Sequence, residues 1–395
     1  SLFWVFSLSA CTVDSPETAS STLIVNAVIY DGSGGTPYNG AVRFDTATQR
    51  IVAAGDLQAI SGEVVIDAKG LALAPGFIDT HSHHYEDADK FRHMPGVLSQ
   101  GITTIVRGAD GSAGQFQSVA EFNVAFEASP AAINVASFSA HNTIRQLVMG
   151  DDNRRYATPA EIDAMAELVA ADMQNGALGL STGLEYEPGI FSATEEVIEL
   201  ARVAAAGGGR YTSHLRDEDD RFIDAVNEII RIGEDADIPV HVSHIKIADR
   251  LAWGTTADII DLMNGARSRG VEVTADIYPY ERWASNLAVL FPDRDYSSVA
   301  TAKYTFERTA AAEDILLIRY PANPAFEGMT VAEIAGITER DEVTTLLELS
   351  QAAEDHRRET GKDSGIIAKS MNNEDIAAFL RWPYMNICSD GSHGG

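Results

Sequence analysis

The chain has 395 residues, of which 45% are apolar and 22% charged, so it can bury the core of a barrel domain and a smaller unit. The formal net charge of −29 at pH 7 disfavours nucleic acid and anionic membrane as partners, and it identifies no substrate by itself. Two cysteines, Cys11 and Cys388, are too few for a disulfide framework.

Residues 1–21 are predicted to be a clipped signal and a linker rather than part of the fold. Residues 2–11 are apolar but too short to span a bilayer, and a polar tract follows. Their end, Leu-Ser-Ala-Cys, is similar to the bacterial lipobox, in which the cysteine carries lipid. The stretch predicts a lipoprotein of the bacterial cell envelope, periplasmic or in the outer membrane, that meets the membrane only through Cys11.

Residues 22–73 are predicted to form a small antiparallel β unit, part of a β-sandwich. A β-rich run at 22–30 is followed by a turn cluster of glycine and serine, and shorter strands are predicted at 40–45, 50–54 and 63–67.

From residue 74 the pattern becomes strand, loop and helix, repeated. Helices are predicted at 158–174, 193–206, 218–236 and 255–268, the first opened by a capping box with proline at the first helical position. Eight repeats favour a (β/α)8 barrel over 74–395. The eight strands are predicted at 75–80, 102–107, 132–138, 177–181, 210–213, 239–243, 271–277 and 385–389.

One interval, at about 285–384 before the eighth strand, is too long for a single crossover. Helices are predicted there at 300–313, 330–335 and 340–354, and the interval is interpreted as an insertion on the catalytic face. Because no helix follows the eighth strand to cover it, we expect the C-terminus of this sequence to be truncated.

Several polar side chains fall at the carboxyl ends of these strands, where barrels of this type carry their functional groups. His81 and His83 stand two apart on a strand and therefore point the same way. Together, four histidines and two aspartates lie at strand ends: His81, His83, Asp110, His214, His244 and Asp390.

This set predicts a site for one or two zinc or similar divalent ions, with Asp110 able to bridge. Such ions would lower the pKa of a bound water to about 7 and polarise a scissile carbonyl. Asp390 is the residue expected to take the proton of that water and pass it to a leaving group.

The motifs of the chain resemble those of the amidohydrolase superfamily and, more narrowly, of the D-aminoacylase (N-acyl-D-amino-acid deacylase) family. The resemblance runs in family order from about residue 22 to the end. It is carried by 75–83 (PGFIDTHSH), 101–104 (GITT), 179–189 (GLSTGLEYEPG), 213–218 (SHLRDE), 243–246 (SHIK), 278–280 (YPY) and 389–391 (SDG).

The resemblance implies hydrolysis of the amide bond of N-acyl-D-amino acids. It also implies that His214 and His244 hold the tighter cation, His81 and His83 a weaker one, and that Asp390 is the acid and base. Lys246 and a tyrosine of the 278–280 segment, Tyr278 or Tyr280, would bind the substrate carboxylate. The chain departs from the family at Asp110, where a metal-binding cysteine is usual.

Two further residues are candidate substrate contacts by position. His141 follows the third strand, and Arg216 stands in the same relation to His214 as Lys246 does to His244. The alternatives to a deacylase are a dipeptidase or cyclic-amide hydrolase using the same metal site and, from another class, a non-catalytic binding lipoprotein.

Overall fold

The computed structural model describes residues 21–84 and 92–392, so the predicted signal and Cys11 lie outside the described residues. The chain divides into two compact units at the boundary between Phe77 and Ile78. Among the described residues, no helix combines the length and the apolar character that crossing a membrane requires.

The first unit is a single mixed sheet of five strands in the described residues. Its strands are β1 (Ser21–Ile29), β2 (Tyr38–Asp45), β3 (Arg50–Gly55), β4 (Val64–Asp67) and β5 (Ala72–Leu73). The order is β3-β2-β1-β4, and β5 also pairs with β1.

The prediction of an antiparallel unit is confirmed for β1, β2 and β3 and is wrong for β4 and β5. β1, β2 and β3 are antiparallel neighbours, but β4 and β5 both run parallel to β1. The physical reason is the connection at 56–63, which is longer than a hairpin turn and carries the chain across the sheet before β4 begins.

In the second unit, each of the eight predicted strand ranges overlaps a β-strand. With β9, these strands lie in two sheets, ordered β6-β7-β8 and β17-β13-β12-β11-β10-β9. β7 is parallel to β8, and all neighbours in the second sheet are parallel. The strands are β6 (Phe77–Asp79), β7 (Ile102–Arg107), β8 (Asn134–Ser137), β9 (Ser139–Ala140), β10 (Gly179–Gly183), β11 (Arg210–His214), β12 (Val240–Val242), β13 (Val273–Ile277) and β17 (Met385–Ile387).

Helices follow most of these strands and cover the parallel sheets with apolar faces. The capping box of Thr158 and Glu161 opens the helix at Pro159, as the sequence predicts. The helices are α1 (Pro95–Leu98), α2 (Val119–Ala128), α3 (His141–Met149), α4 (Pro159–Gln174), α5 (Thr194–Ala206), α6 (Phe222–Ala236) and α7 (Thr256–Ser268). The buried residues of α3 to α7 share one large core with the strands, in which Leu180, Tyr211 and Val242 are fully enclosed. Those of α1 and α2 pack with β7 in a smaller core.

The interval before β17 folds around an apolar core of its own, which includes Phe291, Ile315 and Leu346. It contains β14 (Arg282–Ser285), β15 (Ile315–Arg319), β16 (Gly365–Lys369), α8 (Val299–Tyr304), α9 (Val331–Thr338), α10 (Glu342–Thr360) and α11 (Asn373–Phe379). The sequence predicted only helices here. The three strands form an antiparallel sheet in the order β14-β16-β15, which connects segments far apart in the chain and therefore leaves no local turn signal.

Candidate metal centre

The first group of donor atoms lies where β6, β7 and β17 end. Nε2 of His81 is 3.4 Å from Oδ2 of Asp110 and 3.4 Å from Oδ1 of Asp390. Nε2 of His83 lies 3.3 and 3.4 Å from the same two oxygens. These distances exceed an ordinary N–H···O hydrogen bond of about 2.9 Å. They match the separation of about 3.3–3.4 Å between two ligands that each stand about 2.0–2.1 Å from a tetrahedral zinc ion.

The second group shares Asp110 with the first. Nδ1 of His214 lies 2.9 Å from Nε2 of His244, and that Nε2 lies 3.5 Å from Oδ1 of Asp110. Donor atoms of these three buried residues all lie within 4.8 Å of one another. Asp110 therefore presents one carboxylate oxygen to each group, an arrangement that suits a bridging ligand.

The buried polar atoms in these groups fit a cation. Among the described residues, neither Nε2 of His81 nor Oδ1 of Asp110 has a hydrogen-bond partner. An unsatisfied buried polar atom costs about 1–3 kcal/mol, which a cation bound between them would remove. The two groups also combine imidazole nitrogen with carboxylate oxygen, the donor set typical of zinc.

The ionisable side chains in these groups shift one another's pKa values. Although burial opposes it, the carboxylates of Asp110 and Asp390 hold the pKa of His81 well above its usual range. Burial likewise opposes the shift of Asp110, whose pKa is nevertheless held well below its usual range by His81 and His244. Because a ligand imidazole must be deprotonated, a proton and a cation compete for these histidines.

The backbone is left-handed at three of the six candidate metal ligands, with φ of 52° at Asp110, 33° at His244 and 47° at Asp390. Non-glycine residues rarely adopt this conformation, which is concentrated at functional sites. Gly108 precedes the turn with φ +78°, and a Cβ there would lie 2.8 Å from the carbonyl oxygen of Phe138. The sequence motif Gly-Ala-Asp-Gly at 108–111 therefore supplies the tight turn that places Asp110.

Two glutamates that the sequence analysis did not select contact the histidines of the second group. Oε2 of Glu185 lies 2.7 Å from Nε2 of His214, the ring nitrogen opposite the one that faces His244. Glu218 lies 3.3 Å from Nδ1 of His244. Carboxylates in these positions fix the tautomer and orientation of a metal-binding histidine. Both residues closely follow a strand of the parallel sheet, which is the signal that could have found them.

Lys246 and Tyr278 lie in a pocket beside the second group, which His214, His244 and Asp390 also line. Nζ of Lys246 donates to both oxygens of Glu218, at 2.7 and 2.6 Å, and lies 2.8 Å from Nδ1 of His244. The Tyr278 hydroxyl is buried and has no hydrogen-bond partner among the described residues. Both side chains can therefore reach a carboxylate bound in this pocket.

Three predicted substrate contacts are wrong, because their side chains do not line the pocket of Lys246. His141 is the first residue of α3, and its Nε2 lies 2.9 Å from Oε1 of Glu196. Its side chain is therefore buried in the protein core. Arg216 is held by Glu228, with Nε and Nη2 each 2.8 Å from a carboxylate oxygen. Tyr280 is 63% exposed and is not among the residues that line the pocket.

An open groove also borders the donor groups. His83 and Asp110 line it, together with Asn142 and Tyr186. Tyr186 also lines the pocket that contains Lys246, and its ring packs 4.4 Å from the ring of His214. The pocket and the groove therefore adjoin each other at Tyr186, and both are lined by candidate ligands.

Comparison with known proteins agrees with this site. The sequence profile of the amidohydrolase family matches residues 64–355. The chain is 36% identical to a D-aminoacylase of Alcaligenes xylosoxydans xylosoxydans over 282 residues, which cover 65% of this chain and 57% of that protein. It is 33% identical to an N-acyl-D-glutamate deacylase of the same organism, over 92% of this chain and 72% of that one.

The fold agrees as well. The crystal structure of N-acyl-D-glutamate deacylase from Bordetella bronchiseptica, complexed with zinc and a phosphonate inhibitor that mimics the tetrahedral intermediate, is similar with a TM-score of 0.79 and 29% identity. The similarity covers 93% of this chain and 75% of that one. The chain therefore belongs to the amidohydrolase family. Within it, it belongs with D-aminoacylase and the N-acyl-D-amino-acid deacylases.

Proposed function

We propose that this protein hydrolyses the amide bond of N-acyl-D-amino acids and uses one or two zinc ions. The observation that carries the proposal is the pair of donor groups joined by Asp110, with Asp390 in the first group and also lining the pocket of Lys246. The relatives' substrates support the choice of an N-acyl-D-amino acid.

In this proposal His81, His83, Asp110, His214, His244 and Asp390 hold the zinc. Zinc bound there would polarise the amide carbonyl and lower the pKa of a water molecule. Lys246 and the Tyr278 hydroxyl bind the substrate carboxylate and fix the amide beside Asp390. The C–N bond breaks, water supplies the oxygen that joins the acyl carbon, and Asp390 passes the proton to the departing nitrogen.

We further infer that the parallel strands close into a (β/α)8 barrel, with 22–73 and about 285–384 outside it. Support comes from hydrogen bonds between the two sheets of these strands. The backbone N–H of Asp390 donates to the carbonyl of His81 at 3.1 Å, and that of His83 to Gly391 at 2.8 Å. At the opposite edge, the N–H of Leu178 donates to Ser137 at 2.8 Å.

The test is hydrolysis by the zinc-loaded protein of N-acetyl-D-amino acids, dipeptides and hydantoins, with zinc content measured on each sample. The Asp390→Asn variant should lose at least about 100-fold in kcat/KM, the usual contribution of an acid or base. Asp261→Asn, on an exposed position of α7, is the matched control and should behave as the wild type.

The other outcomes identify the alternatives. Preference for dipeptides or hydantoins would assign the site to a dipeptidase or a cyclic-amide hydrolase. Zinc bound without hydrolysis of any substrate would favour a binding protein. Full activity of Asp390→Asn would refute the assigned acid and base.

Location in the bacterial cell envelope, through a lipid on Cys11, is a separate proposal that rests on residues 8–11 alone. Incorporation of labelled fatty acid by the full-length gene product in bacteria should be abolished in the Cys11→Ala variant. Labelling that survives this substitution would reject it.

A further inference from the structure

The charges that line the pocket of Lys246 leave no cation for a second acidic group. Apart from the histidines, Lys246 is the only basic residue among the described residues that line it, and it is already paired with Glu218. The other acidic side chains that line the pocket are Glu185, Asp219 and Asp390. Glu185 contacts His214. A substrate can therefore offer one carboxylate to Lys246, and a second would be desolvated among acidic neighbours.

A cationic side chain finds no free anion there either. Glu185 and Glu218 are engaged with His214 and Lys246, and Asp390 faces His81 and His83 in the first donor group. Burial, together with the adjacent carboxylate of Asp217, raises the pKa of Asp219, so its charged form is disfavoured. Burying a charge without a partner is unfavourable for either sign.

An apolar part of the pocket wall comes from the start of the inserted interval. Trp283 on β14 and the turn residues Val289 and Leu290 line the pocket. The Trp283 indole N–H donates to Ser370 Oγ, and its ring packs against both the barrel core and the core of the insertion. The wall is therefore fixed in place by two separate cores.

We propose that this pocket selects N-acyl-D-amino acids with a neutral, apolar side chain and discriminates against those of aspartate, glutamate and lysine. The inference rests on the proposed function, because it assumes that the α-carboxylate of the substrate binds Lys246. It makes Trp283, Val289 and Leu290 the residues that determine specificity.

The first experiment compares kcat/KM of the zinc-loaded protein at pH 7 for the N-acetyl derivatives of D-leucine, D-glutamate, D-aspartate and D-lysine. The D-leucine derivative should exceed each of the others by at least about tenfold, because they bury an unpaired charge. Equal or better hydrolysis of any charged derivative overturns the inference. Calorimetric binding of the same four compounds is measured in parallel. If none is hydrolysed the proposed function fails, and the order of affinities still decides the specificity.

The second experiment places a cation in the apolar wall. Val289→Lys should raise the D-glutamate to D-leucine ratio of kcat/KM at least about tenfold, since it supplies the missing partner for the side-chain carboxylate. Val299→Lys, at an exposed valine that opens α8 outside the pocket lining, is the matched control and should leave the ratio unchanged. No change in Val289→Lys, or the same change in both variants, would show that Val289 does not face the substrate side chain.

Discussion

The contact between Glu185 and His214 gives a direct test of how the second donor group is held. Glu185→Gln keeps the shape of the side chain but replaces its charge, so the N–H···O bond of 2.7 Å to His214 becomes a neutral one. A hydrogen bond to a charged group is worth about 1.5–3 kcal/mol against about 1 kcal/mol for a neutral pair. The loss of about 0.5–2 kcal/mol corresponds to about 2–30-fold in affinity, at about 1.4 kcal/mol per tenfold.

Because the Glu185 side chain is 22% exposed, we expect the lower half of this range, about 2–8-fold weaker zinc binding. The assay is competition for zinc between the protein and a chelator of known affinity. Glu187→Gln is the control, because Glu187 lies on the same loop but pairs with Arg154 at 2.8 Å. Wild-type zinc affinity in Glu185→Gln, or equal weakening in both variants, would refute the view that Glu185 orients His214.

Three further predictions concern binding and stability. Lys246→Gln should raise KM for N-acetyl-D-amino acids about 10-fold or more and change kcat less, as expected for a residue that binds the substrate carboxylate; steady-state kinetics would contradict this if only kcat fell. Removing zinc with a chelator should lower the thermal midpoint, since zinc at 100 times its Kd stabilises the folded state by about 2.7 kcal/mol; identical scanning calorimetry curves would argue against a bound cation. Glu196→Gln should destabilise the protein by about 3–5 kcal/mol in denaturant titrations, because it leaves the buried Arg145 guanidinium without its charged partner at 2.6 Å. Although burial opposes it, His141 and Arg145 lower the pKa of Glu196, so this stabilisation is present above about pH 4.3 and lost as the pH falls, and a wild type with no such loss would contradict it.

The positions of the candidate ligands could be predicted because each depends on one rule about parallel strands. The residues follow strands whose apolar runs are evident in the sequence, and the carboxyl ends of such strands meet on one face. For example, β7 occupies the predicted range 102–107, and Asp110 follows it by three residues. The order of the strands was enough to bring six distant side chains together.

The partners of those ligands could not be predicted in the same way. Whether Glu185 turns toward His214 or toward solvent depends on loop torsions that no periodic pattern records. His141 shows the same limit, because the chain enters α3 at that residue without the loop that follows other strands. The position of a residue at a strand end therefore predicts a ligand only when a turn, and not a helix, comes next.

Asp110 shows how a single turn can join two donor groups. Its oxygens face different histidines: Oδ2 lies 3.4 Å from Nε2 of His81, and Oδ1 lies 3.5 Å from Nε2 of His244. A side chain with one donor atom, such as cysteine, would have to offer that atom to both groups at once. With a carboxylate, each group keeps an oxygen of its own, and the left-handed backbone between Gly108 and Gly111 allows the side chain to stand between them. If a cation occupied one group, it would change the electrostatic potential at the other through the shared ligand, so the affinities of the two groups for zinc would be coupled.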